Sequence, residues 1–242
     1  MDWQDEGLVI GVRRHGETSV ILELMTREHG RHLGLVRGGL SRTLRSVLQQ
    51  GNHVEARWRA RIEGHLGAYT VEPVKSRAAR LIDHAYALHG VAHLGALLRL
   101  LPERDPHREL FELADAIADE LDRTQDAPWL LARFELVLLG ALGFGLDLDA
   151  CALTGARDDL AYVSPKSGRA VSRDAGAGWG DRLLRFPAFL RDDRIGADAA
   201  ELAAAFRLTG HFLARDVFAP RGLPMPPSRA LYLAAIATRA AA

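Results

Sequence analysis

The stretch Glu55-Ala56-Arg57-Trp58-Arg59-Ala60-Arg61-Ile62-Glu63 alternates with a period of two. Successive side chains of a strand leave opposite sides of the sheet, so a strand here sends Arg57, Arg59 and Arg61 to one face and Trp58 and Ile62 to the other. One face packs and the other faces a polyanion. Outward from it, residues 27–61 hold eight arginines, at 27, 31, 37, 42, 45, 57, 59 and 61, against two acids, Glu28 and Glu55. The same alternation extends through the N-terminal third of the chain. Strands are expected over Gly7–Arg14, Ser19–Thr26, Arg31–Arg37, His53–Ile62 and His65–Glu72, because Gly16, His29-Gly30, Gly38-Gly39, Gly51-Asn52 and Glu63-Gly64 supply the turn residues between them. Ser41 to Gln50 carries Leu44, Val47 and Leu48 at helical spacing behind a Ser41 N-cap. Five strands with one short helix between the third and fourth give the order of a small OB-type barrel.

After Pro73 the period changes to that of helices. Ser76–Leu101 places Leu81, Ala85, Leu88, Ala92, Gly95 and Leu98 one or two turns apart. Asp105-Pro106 reads as N-cap and first position of a second helix with a Leu110, Leu113, Ile117, Leu121 stripe. A third helix opens at Asp126 and runs to Leu142. Residues 147–193 are rich in Gly, Asp and Ser, with a hairpin expected between Ala161-Tyr162-Val163 and Ala170-Val171-Ser172. Helical spacing returns after Asp198 (Leu202, Phe206, Leu213, Val217), and a last helix is expected over Ser228–Arg239. The predicted fold class is α+β, divided into a barrel (1–75), a helical bundle (76–146), an irregular insertion (147–193) and C-terminal helices (194–242).

The chain has 242 residues and zero formal net charge, but the charge is uneven. Residues 1–80 carry 13 basic and 9 acidic side chains, and residues 81–242 carry 18 and 22. The basic end is the one suited to nucleic acid. A single cysteine, Cys151, excludes an internal disulfide and fits a reducing cytoplasm. The acidic start Met1-Asp2-Trp3-Gln4-Asp5-Glu6 does not resemble a signal peptide, and the longest apolar run, Trp129–Leu142, is short and interrupted by Arg133 and Glu135. A soluble cytoplasmic protein with no membrane partner is expected.

Phosphate clamping by Arg31, Arg37, Arg42, Arg45, Arg57, Arg59 and Arg61 is the chemistry the arginine cluster offers. Trp58 alternates away from them and Tyr69 is the one other aromatic between residues 27 and 72, so backbone contact is expected rather than base reading. The bland alternative, arginines solvating a barrel and pairing with nearby acids, is weakened by the shortage of local acids. His89 and His93 have the spacing of two zinc ligands, but Gly90-Val91-Ala92 between them lacks the metalloprotease glutamate. Gly143-Phe144-Gly145 follows a helix, which does not suit a dinucleotide site, and no Walker lysine motif or Gly-x-Ser-x-Gly elbow occurs. No catalytic residue, cofactor or metal is assigned. Asp147, Asp149, Asp158 and Asp159 read as turn caps and solvated loop positions rather than an active site.

Trp3-Gln4-Asp5-Glu6-Gly7-Leu8-Val9-Ile10, Gly16-Glu17-Thr18-Ser19, Leu24-Met25-Thr26-Arg27-Glu28-His29-Gly30 and Leu35-Val36-Arg37-Gly38-Gly39 resemble the N-terminal domain of the bacterial recombination mediator RecO family. The resemblance continues through Cys151-Ala152-Leu153-Thr154-Gly155 and Tyr162-Val163-Ser164-Pro165-Lys166-Ser167-Gly168-Arg169. It implies an OB-fold followed by helices with a zinc-finger-like insertion, and a non-enzymatic role in recombinational DNA repair. Family members bind single- and double-stranded DNA, anneal strands and act with RecR to load RecA on DNA coated by the single-stranded-DNA-binding protein (SSB), whose C-terminal tail is a further partner. A groove among the helices, with Arg99 and Arg133 as clamps, is the expected seat for that tail. One departure concerns zinc. Where many members carry two Cys-x-x-Cys pairs, this chain reads Cys151-Ala152-Leu153-Thr154 and Ala170-Val171-Ser172-Arg173-Asp174-Ala175, so an insertion lacking zinc ligands is expected. An RNA-associated OB-fold protein is the alternative reading of the same arginines.

Overall fold

The computed structural model describes residues 1–62, 64–123, 126–192, 195–196 and 198–240. Glu63 of the expected turn and Asp193 at the end of the expected insertion lie outside these residues. The chain divides into two compact units, Met1–Gln125 with Pro226–Ile236, and Asp126–Met225 with Ala237–Ala242.

The first unit begins with β1 (Asp2–His15), β2 (Ser19–Thr26), β3 (Gly30–Val36), α1 (Arg42–Val47), β4 (His53–Arg59) and β5 (Ala68–Lys75), and the five strands close into a barrel in the order β1-β2-β3-β5-β4. One long strand serves two neighbours. Asp2–Leu8 pairs with β4 and Gly7–His15 pairs with β2, with a register shift between Val9 and Gly11 that bends β1 around the corner. This double pairing recruits residues 2–6, which local alternation did not assign to a strand. Inward-facing Val9, Leu22, Leu24, Val54, Ala56 and Trp58 fill the barrel, and α1 adds Val47 and Leu48 to the same core. Ser41 caps α1 as expected, its side chain accepting from Leu44 N at 3.4 Å.

β4 confirms the alternation as far as Arg59. Ala56 and Trp58 are buried, while Arg57 and Arg59 are exposed. The strand stops there because its ladder with β1 ends at the Asp2–Arg59 pair. Arg61 and Ile62 therefore lie in a bend, and Ile62 is 59% exposed rather than packed. β5 correspondingly starts at Ala68, later than its sequence pattern suggested. Gly67 precedes it at φ +63°, where a Cβ would sit 2.4 Å from the Trp58 indole.

The expected helix over Ser76–Leu101 is two helices, α2 (Ala78–Leu81) and α3 (Ala85–Leu98). The break resets the register, so Leu88 is 42% exposed while Ala87, Val91, Leu94 and Leu98 are buried. α4 (Arg108–Glu120) starts after His107, and Asp105-Pro106 belongs instead to the strap of residues 101–107 that leads into it. That strap covers a seam in the barrel. β3 and β5 share the single ladder pair Leu35–Ala68, and beside the rest of β3 Glu103 bridges Arg31 in parallel while Arg104 N donates to Arg31 O at 2.8 Å. Gly30, at φ +65°, is required by this closeness, since a Cβ would fall 2.0 Å from Asp105 O.

Barrel and helices are clamped by a buried ion cluster. The Arg77 side chain, 1% exposed, donates from Nε and Nη2 to Asp119 (2.8 and 2.9 Å) and from Nη1 to Gly51 O, and its Nη2 lies 2.8 Å from Asp115 Oδ1. His53 Nδ1 also meets Asp115, at 2.8 Å. Burial alone would raise the Asp115 pKa, but the His53 hydrogen bond and the Arg77 charge outweigh it and hold the carboxyl well below its ordinary value. Hydrogen bonds from Arg77, with Lys75 adding to them, bring Asp119 to about 2.

The second unit holds α5 (Ala127–Ala141), then the expected hairpin as β6 (Leu160–Val163) and β7 (Ala170–Ser172), α6 (Arg173–Gly176) and a third strand, β8 (Leu184–Arg185), on the open side of β6. α7 (Ala199–Phe212) begins at Asp198, whose carboxylate accepts from Glu201 N at 2.7 Å, and runs on through a π-helical turn over Leu213–Phe218. α8 (Pro227–Ala240), which through Ile236 belongs to the first unit, is the last element of the described residues. In the insertion Cys151 is buried, and its sulfur accepts from Ser172 N (3.3 Å) and Ser172 Oγ (3.4 Å). One thiol engaged by serine, with Thr154 where a second cysteine would stand, is not a donor set for zinc. Among the described residues no group of three or more His, Cys, Asp or Glu could hold a metal ion.

Candidate nucleic-acid interface

The eight arginines of residues 27–61 fall into three groups once the chain is folded. Arg27 and Arg31 are committed to structure. Arg27 Nη2 donates to Glu112 Oε1 at 2.8 Å, and Arg31 bonds Glu23 (2.7 Å), Leu101 O (2.9 Å) and Glu103 (3.5 Å) with its side chain 17% exposed. Their partners are as many as 85 positions away, so the local count of acids missed them.

Arg57 and Arg59 stand on the outer face of β4, but among acids. Gln4 bridges the face, donating to Glu55 (2.6 Å) and accepting from Arg57 Nη2 (3.0 Å), while Arg59 lies 3.6 Å from Asp2. Glu55 pairs with Glu72 across the β4–β5 ladder. The shallow cleft here, about 310 Å³, is lined by Gln4, Glu55, Arg57, Arg59, Thr70 and Glu72 among others, so its charge is close to balanced. The outer face of β4 is less positive than its arginines alone suggest.

Arg37, Arg42, Arg45 and Arg61 form the third group. All four are exposed and have no carboxylate partner among the described residues. Arg37 follows β3, Arg42 and Arg45 project from α1, and Arg61 follows β4. Arg14, which sequence reasoning left out because it lies upstream of the cluster, is also exposed and lines a cleft with Arg45 and Arg99. Arg99 itself is spent on Glu23 (2.7 Å) and Ile10 O, so it is not the free clamp expected for a partner's tail.

The barrel's aromatics form one cluster, in which Trp58 and Tyr69 are buried and Trp3 is partly buried. Trp3 stacks on His29 (4.1 Å between centroids) and on Trp58 (5.6 Å), and Tyr69 Oη lies 3.0 Å from His32 Nδ1. Burial, with the Arg104 charge second, lowers His32 to about 4, and burial raises Tyr69, so both are neutral near pH 7. This cluster packs the barrel, and the scarcity of surface aromatics stands.

Models of two families match the chain: Recombination protein O N terminal over residues 1–77 and Recombination protein O C terminal over residues 74–223. The chain belongs to the RecO family. The DNA repair protein RecO of Rhizobium etli is 61% identical over 230 residues, covering 95% of this chain and 90% of that protein. RecO of Chelativorans sp. (strain BNC1) is 58% identical over 237 residues (98% and 96%), and RecO of Methylorubrum extorquens 58% over 240 (97% and 98%). Membership in RecO places the chain in a DNA-repair family and accounts for the OB-type barrel ahead of the helices. Among the described residues no helix is long and apolar enough to cross a membrane.

Proposed function

We propose that the protein is a non-enzymatic mediator of recombinational DNA repair, acting in the cytoplasm. It binds single- and double-stranded DNA through the barrel arginines, anneals complementary strands and, with RecR, helps load RecA on SSB-coated single strands. The observation that carries the DNA-binding part is the third arginine group: four exposed guanidinium groups, Arg37, Arg42, Arg45 and Arg61, with no carboxylate to neutralise them among the described residues. Each such group can displace a condensed counterion from a phosphate, and screening one strand's charge is what lets a second anionic strand approach. Arg57 and Arg59 contribute less, because Asp2, Glu55 and Glu72 share their face. Arg31 acts as structure. Annealing by charge screening needs no catalytic group.

The seat for the SSB tail is a cleft of about 1060 Å³ in the second unit, lined by Arg133, Tyr162 and Phe186 among others, where Arg173 and Arg185 are already paired with Asp159 and Glu201. Arg133 is half-buried there and has no carboxylate partner among the described residues, which suits an acidic, apolar peptide end.

The test is the salt dependence of DNA binding. Replacing Arg37, Arg42 and Arg45 with alanine removes three phosphate contacts, so the slope of log K against log salt on single strands flattens by about 2. The Arg57→Ala/Arg59→Ala pair changes it by less. Wild-type affinity and slope in the triple variant would remove the interface from α1.

A further inference from the structure

The cleft beside α1 has a composition that phosphate clamping does not use. It holds about 440 Å³ and is walled by Val12, Leu40 and Leu48 together with Arg14, Arg45 and Gln49. Val12 is 42% and Leu40 37% exposed, so apolar surface faces the opening, and no acid lines it. Two glycines at its walls let neighbouring side chains pack directly on the backbone. A Cβ on Gly39 would meet Val20 at 2.6 Å, and one on Gly11 would meet the Arg99 guanidinium at 2.1 Å. Gln49 donates its amide N–H to Arg45 O, leaving its carbonyl oxygen as an acceptor, and Arg14 Nε donates to Gly16 O, which orients that side chain.

A surface built only for phosphates gains nothing from apolar walls, and an apolar pocket gains nothing from uncompensated arginines. One chemical unit satisfies both: a nucleobase attached to a phosphate. Aliphatic side chains and guanidinium planes stack on bases, and an amide oxygen accepts from a base edge. The volume falls within the range of about 300–1,000 Å³ of small-molecule pockets. A base paired in a duplex cannot leave its stack to enter without the cost of unpairing, whereas a base of a single strand can.

We propose that this cleft takes one unstacked nucleotide of a single strand, its base between Val12 and Leu40 and its phosphate at Arg14 and Arg45, and thereby biases the barrel toward unpaired nucleic acid. The assignment rests on the DNA-binding reading above and adds a base-dependent subsite to it.

The decisive comparison is between oligothymidylate and an abasic sugar-phosphate polymer of equal length, which carries the same phosphates and no bases. The wild-type protein binds the thymidylate about tenfold more tightly. Val12→Ala and Leu40→Ala, each of which strips one apolar wall without changing charge, bring the two polymers to equal affinity and leave abasic binding as it was. Both side chains are exposed, and far-UV circular dichroism checks that each variant folds. If the wild type binds the two polymers equally, or if both folded variants keep the preference, the cleft assignment is wrong while phosphate binding stands. If neither polymer binds at all, the DNA-binding reading falls together with it.

Discussion

Arg77→Ala tests whether the buried ion cluster holds the barrel to the helices that follow it. The guanidinium is 1% exposed and makes four contacts, to Asp119 twice, to Asp115 and to Gly51 O, at 2.8–3.2 Å. Removing one member of a buried ion cluster strands the others, at a cost of about 3–5 kcal/mol. Lys75 stays within 2.7 Å of Asp119 and 3.2 Å of Asp115, and His53 stays on Asp115, so the expected loss is at the lower end, about 3 kcal/mol. That corresponds to a fall in melting temperature of about 6–12 °C. The effect also depends on pH in a defined direction. Asp119 has a folded pKa lowered from 3.8 to about 2, so its contribution, about 2 kcal/mol, is fully present above the unfolded value and is lost as pH falls from about 4 through 2. Asp115, lowered further, behaves in the same sense. Urea denaturation followed by far-UV circular dichroism at pH 7 and pH 3 reads both. The gap between wild type and Arg77→Ala should be about 3 kcal/mol at pH 7 and narrow by about 1 kcal/mol at pH 3. A gap below about 1 kcal/mol at pH 7, or one that widens on acidification, would refute the view that Arg77 and the two carboxylates stabilise each other.

Other substitutions probe the barrel. Gly30→Ala forces a side chain into a φ of +65° and against Asp105 O, so it should cost about 3 kcal/mol in chemical denaturation and loosen protection of residues 101–107 in hydrogen exchange. Tyr69→Phe leaves buried His32 Nδ1 facing no hydroxyl, with an expected loss of about 1–2 kcal/mol by the same denaturation assay. Trp58→Ala empties the centre of the aromatic cluster and frees Leu66 O from the indole N–H, for about 3–5 kcal/mol, measured as a shift in thermal midpoint.

Most of the barrel is legible because its turns are marked chemically. Gly16, Gly30, Gly38 and Gly51 all adopt positive φ, and each sits where a strand was expected to end or begin. Trp58 against Arg57 and Arg59 is equally plain, since a period of two is a local property. What depends on distant partners is not legible. The Asp2–Glu6 part of β1 is strand because β4 lies beside it. The helix break at residues 82–84 coincides with an α2 whose start is tied down elsewhere, by Asn52 Oδ1 accepting from Arg77 N and Ala78 N and by the Arg77 side chain on α4. The interface was half visible for the same reason. Counting acids within residues 27–61 made every arginine look free, yet Glu112, Glu103 and Asp2 come from outside that window to meet three of them, and Arg14 joins the exposed group from outside it as well.

The seam between β3 and β5 bears on whether the barrel can stand alone. Glu103 and Arg104 occupy the flank of β3 that β5 leaves bare, so residues far beyond the last strand complete the barrel's hydrogen bonding. A polypeptide cut after residue 75 would lose that cover together with Arg77 and α4, and would present the N–H and C=O row of β3 to other chains. Unprotected edges of this kind recruit strands from neighbouring molecules. The barrel by itself should therefore self-associate as its concentration rises, and the helices that follow it serve as its guard against aggregation.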